Sequence, residues 1–204
     1  LFSAPRITSV ATYDEALSLI QERRFDMVIL MAGLDKNMPV SLSREVKAQY
    51  PHLPVLLMVN NNEDLKYFDE PSAPGGSIDK VFVWNGDSRV FLAMIKYVED
   101  RTNVENDVRV GDVRAILLVE DSQRYYTRYL PLLYSIIMTQ TQNILAEETS
   151  DQTHKILKMR VRPKVLLVST YEEAVEIVDK YTENLICVIS DMKYSRNGEV
   201  DKNA

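Results

Sequence analysis

The sequence predicts an α/β protein made of doubly wound parallel sheets in two units. Short apolar runs of strand type alternate with helical patterns of about ten to fifteen residues, as in chains of βαβ units. Seven such runs are too many for one small open sheet with simple winding. A repeat supports the division: "ATYDEALSLI" (11–20) and "STYEEAVEIV" (169–178) share one pattern, and a strand-like run follows each.

Taken in order, strands are expected at 6–10, at 26–31 in "DMVILM", at 54–59 in "PVLLMV" and at 80–84 in "KVFVW". Three more are expected at 115–119 ("AILLV"), 164–169 ("KVLLVS") and 185–190 ("LICVIS"). Continuous apolar runs of this length fit strands covered on both faces. Helical periodicity places helices at 13–24, 41–50, 88 to about 102, 123 to about 147 and 171–182. Asp87 and Ser88 offer an N-cap, and Tyr50-Pro51 closes the second helix. Pro131 should kink the fourth helix or start a new one.

The division expected is a first unit at 1–104, a second unit at 114–204 and, at 105–113 between them, a polar linker or the fraying end of a helix. The second carries a long helical insertion at 123–163. "PSAPGGS" (71–77) is a turn-rich loop, and the basic "HKILKMRVRPK" (154–164) reads as a solvated helix face or a contact to an acidic neighbouring domain.

Composition narrows the chemistry. A net charge of −6 argues against a nucleic-acid surface. With His52, His154 and Cys187 as the whole imidazole and thiol supply, a zinc-type site is excluded. Cys187, inside "LICVI", reads as a small buried hydrophobe. No apolar run approaches the roughly 18 residues of a membrane span, and no secretion signal is visible, so a soluble cytoplasmic protein is expected. The first residue is Leu, which reads as a piece of a longer chain.

The chemistry-bearing residues are Glu120, Asp121 and Asp191. In an open parallel sheet, functional groups collect beyond the carboxyl ends of the strands. Glu120 and Asp121 follow the run 115–119, and Asp191 follows 185–190. In a flavodoxin-like unit those are the first and third strands, which are neighbours, so three carboxylates converge. Such a cluster is costly without a cation, and a hard divalent ion, Mg2+ above all, suits oxygen ligands.

"ILLVEDS", "STYEEAVEIV" and "VISDMKYSRNGE" together resemble the receiver domain of two-component response regulators, a flavodoxin-like fold. The resemblance implies that Asp191 is the phosphoacceptor, that Glu120 and Asp121 hold Mg2+, and that the backbone carbonyl of Lys193 completes the protein's ligands. It implies a phosphohistidine donor as partner, either a histidine kinase or a phosphotransfer domain. The first copy resembles the same family without its chemistry: Met31 stands where the acceptor falls, Val59 where a Thr or Ser is usual, and Trp84 where a Lys is usual. Asp35 lies past that strand end, in a loop. The order of "VFVWNGD", "AILLVEDSQRYYTRYLPLLYSIIMTQTQ", "HKILKMRVRPKVLLVSTYEEA" and "VISDMKYSRNGE" is similar to the N-terminal region of bacterial phosphoenolpyruvate synthase-like, pyruvate-binding proteins. That implies a regulatory region contacting other domains of its own chain, rather than an enzyme. By the same resemblance both units read as truncated: the first lacks its opening strand, and the second stops after its third strand.

Three alternatives compete. A circularly permuted receiver would set Asp121 against Met31 and leave Asp191 outside. A docking or dimerisation scaffold without phosphorylation would use the Tyr-rich helix bearing Tyr125, Tyr126, Tyr129 and Tyr134, with a homodimer as its product. Metal-dependent hydrolases on this fold need an Asp-x-Asp pattern, and Asp191 is followed two residues on by Lys193, Asp121 by Gln123.

Overall fold

A computed structural model describes residues 5–68, 76–147, 162–193, 195–196 and 199–200. The chain divides into two compact units, Leu1–Val81 and Phe82–Ala204. It is α/β throughout, with two three-stranded parallel sheets flanked by helices, an arrangement compatible with a flavodoxin-like fold.

The first unit runs α1 (Tyr13–Glu22), β1 (Val28–Met31), α2 (Asn37–Gln49), β2 (Val55–Val59), a 3-10 segment at Asn62–Tyr67 and β3 (Lys80–Val83), whose second half passes into the next unit. The strand order is β1-β2-β3, with Val28 opposite Val55 and Met31 opposite Met58. All five residues of β2 are buried, which is why "VLLMV" shows no alternation. Helix α2 begins four residues earlier than its periodicity indicates. Pro39 sits in its first turn, where a missing N–H costs no hydrogen bond.

The expected strand at 6–10 does not form. Residues 5–10 are exposed and irregular, and Ile7 and Val10 lie open. An apolar alternation makes a strand only where a neighbour accepts its ladder, and none of the described strands does.

The second unit contains α3 (Arg89–Gly111), β4 (Ala115–Val119), α4 (Gln123–Glu147), β5 (Lys164–Val168), α5 (Tyr171–Tyr181), a 3-10 turn at Thr182–Asn184 and β6 (Leu185–Ser190). A short antiparallel pair, β7 (Ser195–Arg196) and β8 (Glu199–Val200), follows. The main sheet has the order β5-β4-β6, with β4 parallel to both neighbours. Ala115 pairs with Leu185 but Ile116 pairs with Cys187, so β6 carries one extra residue at that step.

Two expectations about this region are corrected. The polar stretch at 105–113 is not a linker, because residues 105–111 complete the 23-residue helix α3. The division falls at Val81/Phe82 and not near residue 104. The physical reason is a second apolar seam: Val104 and Val108, one turn apart, pack with Leu117, Val119, Leu166 and Val168 on one face of the sheet. Helix α3 therefore packs with the second sheet. Phe82 joins it there, its ring edge-on to Tyr97 (6.1 Å) and Tyr126 (5.6 Å). The expected cap of α3 also shifts. Ser88 makes no side-chain cap bond, while Asp87 Oδ1 accepts from Arg89 N at 3.0 Å.

The sequence repeat has a structural meaning. Thr12 Oγ1 accepts from Glu15 N (3.3 Å) and Glu15 Oε2 from Ala11 N (3.3 Å). Thr170 Oγ1 likewise accepts from Glu173 N (3.2 Å) and Glu173 Oε2 from Ser169 N (2.8 Å). Each copy of "TYxEA" is a reciprocal cap that starts α1 or α5. Helix α4 runs through Pro131 without dividing. The remainder of the expected 123–163 insertion, 148–161, lies outside the described residues, as do 71–75 of the turn-rich loop.

Charge is buried where the sequence looked solvated. Asp100 on α3, fully buried, accepts from Arg162 Nη1 (3.1 Å), Tyr134 Oη (3.2 Å) and Val165 N (2.9 Å). Lys164 reaches Asp107 at 2.6 Å and Asp100 at 3.5 Å. Both basic residues are buried, so this end of the 154–164 stretch turns inward onto acids of α3.

Cys187 is exposed, against expectation, as are Ile186, Val188 and Ile189. β6 is an edge strand, and past Leu185, which packs on the core, its residues are exposed on both faces. An apolar run signals a strand but does not guarantee a second layer over it.

Candidate functional site

The site is built from two adjacent strand ends. Beyond β4, Glu120 N donates to Val168 O at 3.0 Å, and beyond β6, Asp191 N donates to Val119 O at 3.0 Å. These two bonds extend the parallel ladders by one residue each. They fix the backbone from which Glu120, Asp121 and Asp191 project, and they make 115–119 and 185–190 neighbours.

The three acids meet. One carboxylate oxygen from each of Glu120, Asp121 and Asp191 lies within 4.8 Å of the others. Glu120 is buried at 3% exposure, Asp121 is half-buried and Asp191 is exposed, so the cluster grades from core to surface. Glu120 Oε1 accepts from Ser122 N (3.0 Å), and Asp191 Oδ1 accepts from its neighbour Met192 N (2.7 Å). Ser169, from the end of β5, donates its hydroxyl to Glu120 O at 3.4 Å.

Burial pushes the Glu120 carboxyl above its ordinary range. The Ser122 N–H opposes that rise, and the nearby charges of Asp191 and Asp121 add to it. A raised folded-state value means that the fold favours protonated Glu120. That contribution is complete below the ordinary value of 4.5 and disappears as pH rises through the raised one. Glu120→Gln should therefore raise the Tm of the metal-free protein by a few degrees at neutral pH and leave it nearly unchanged well below pH 4.5. Thermal melts by circular dichroism at the two pH values read this directly, and equal shifts at both would contradict it.

The donor set suits a hard cation. In octahedral Mg2+ coordination at about 2.1 Å, ligand oxygens stand about 3 Å apart when adjacent and about 4.2 Å apart when opposite. Three carboxylate oxygens within 4.8 Å of one another would have to draw closer around the ion to meet that geometry. The set also lacks the nitrogen and sulfur ligands of a zinc-type centre. Lys193, two residues past Asp191, lies in an exposed irregular segment.

The first unit shows no such cluster among the described residues. Met31 ends β1 exposed, and Val59 ends β2 fully buried. Asp35 lies just before α2, its Oδ1 accepting from Asn37 N at 2.9 Å. In the second unit, Trp84 follows β3 with its ring 5.8 Å from Phe91.

Comparison with known families, curated proteins and solved structures finds no match to this chain. The site therefore stands on its own geometry. Sequence reasoning missed Ser122 and Ser169 as partners of Glu120. The second had a usable signal, since Ser169 ends a strand next to the one that bears the acids.

Proposed function

We infer that the Phe82–Ala204 unit is a signal-receiving module in which Asp191 accepts a phosphoryl group, with Glu120 and Asp121 as metal ligands. The supporting observation is the convergence of these three carboxylates at adjacent strand ends. Mg2+ held there, with the Lys193 carbonyl as a further ligand, would supply neutralising charge for the acids and for the phosphoryl oxygens. Within the chain, the exposed Asp191 presents its carboxylate to a docking donor while Glu120 and Asp121 hold position behind it.

The step balances with a phosphohistidine donor. A carboxylate oxygen of Asp191 forms a bond to phosphorus, the phosphorus–nitrogen bond breaks, and the leaving imidazole keeps the electron pair and takes a proton. The added charge would bias a surface read by other domains of the chain. The first unit serves as a pseudo-receiver, with Met31 at the acceptor place. On this reading the module is regulatory, not an enzyme, and works in a two-component phosphorelay in the cytoplasm.

Incubating the chain with acetyl phosphate and Mg2+ should add one phosphoryl group, seen as a single mass increment that hydroxylamine removes. Asp191→Asn should abolish it, and Glu120→Gln should reduce it by at least tenfold. Equal incorporation in wild type and Asp191→Asn would end the proposal.

A second reading is favoured by the exposed apolar residues of β6. It makes the chain an unphosphorylated docking scaffold of a larger phosphoenolpyruvate synthase-like protein. That reading expects no Mg2+-dependent stabilisation and no incorporation.

A further inference from the structure

Helix α4 has two apolar faces. Tyr126, Leu130, Tyr134 and Ile137 are buried on the inner one. On the outer one Tyr125, Tyr129, Leu132 and Ile136 are exposed, Ile136 at 61%. The outer series continues through exposed Thr139 and Asn143. Its spacings alternate between four and three residues, a heptad seam with Tyr125, Leu132 and Thr139 at d and Tyr129, Ile136 and Asn143 at a. An amphipathic surface helix has no need of a second seam, and one that is apolar on opposite sides is built to be covered twice.

We propose that this outer seam of α4 pairs in parallel with the same helix of a second copy of the chain, forming a homodimer. The argument for a second copy is the pattern itself. Knobs at 3.5-residue spacing need holes with the same repeat, and Leu at d with Ile at a favours two parallel strands. Asn143 at an a position meets its own counterpart only in a parallel, in-register pair, where the two amides can hydrogen-bond and fix register. Charge agrees over the length of the seam: no charged residue occurs between Tyr129 and Ile144, so a charged partner would find no complement there and an identical helix meets no like-charge repulsion before Glu147, the last residue of the helix. The cation nearest the seam, Arg128, is at g, facing Leu133 of the other copy rather than a second Arg. The stacked pair Tyr125 and Tyr129, with ring centroids 6.1 Å apart, forms a rigid aromatic end to the seam.

Sedimentation velocity across the micromolar range should give a dimer of the full chain. Ile136→Glu should raise the dimer dissociation constant about 30-fold or more, the loss typical of a central interface residue. Far-UV circular dichroism should stay unchanged in Ile136→Glu, because that side chain is exposed in the single chain. In a Cys187→Ser background, Ile136→Cys should form an intermolecular disulfide under mild oxidation, and a mixture of Tyr125→Cys with Asn143→Cys should not. A monomer at all concentrations, a dimer indifferent to Ile136→Glu, or a crosslink between positions 125 and 143 would each overturn the proposal.

Discussion

Asp100→Ala should destabilise the Phe82–Ala204 unit by about 3–5 kcal/mol, the penalty for removing one partner of a buried ion pair. Asp100 is fully buried and gathers Arg162, Tyr134, the Val165 N–H and, at longer range, Lys164. Without it the Arg162 guanidinium keeps, among the described residues, Glu99 at 3.7 Å as an acidic partner, at a position nearly closed to water. Against total stabilities of about 5–15 kcal/mol, such a loss leaves little margin. Urea titration followed by circular dichroism reads it. The double variant Asp100→Leu with Arg162→Met should recover part of the loss, because two apolar groups of similar volume leave no buried charge exposed to an apolar medium. A single variant that loses less than about 1 kcal/mol would show that the pair is open to solvent.

Leu117→Ala should cost about 2–5 kcal/mol. Leu117 lies at the middle of β4, fully buried between Val104 of α3, Leu166 and Val168 of β5, and Tyr181 of α5. Truncation leaves a hole that strands pinned by parallel ladders on both sides cannot close. The effect should reach the acids, since Glu120 and Asp121 follow β4 directly: Mg2+ should stabilise the variant less than the wild type. For comparison, a ligand at 100 times its dissociation constant contributes about 2.7 kcal/mol. Melts with and without Mg2+ measure both effects on one sample.

The acid trio was legible in the sequence because its members sit at the ends of two apolar runs, Glu120 and Asp121 after 115–119 and Asp191 after 185–190. Runs such as "AILLV" and "LICVIS" are hard to place anywhere but in a parallel sheet, so the strand ends, and with them Glu120, Asp121 and Asp191, could be located by counting. Helix α3 was harder. Its last turns, "RTNVENDVRVG", are mostly polar, and the seam that holds them rests on Val104 and Val108 alone. Nothing local says that Asp100 is buried, because its partners Arg162 and Lys164 come from about sixty residues away, in a stretch that reads as basic surface. Cys187 shows the opposite error: its neighbours look like core, but burial depends on whether a second layer lies over the strand, which no window of residues reports.

The irregular step of β6 beside Ala115 and Ile116 sets where Asp191 falls. Side chains along an extended chain face opposite ways at successive positions, so a slip of one place exchanges the two faces. Were β6 to pair evenly with β4 from Leu185 onward, with Ile186 opposite Ile116, Ser190 would stand where Asp191 now meets Glu120. Every acid would still be present in such a register, yet the threefold oxygen cluster would be gone.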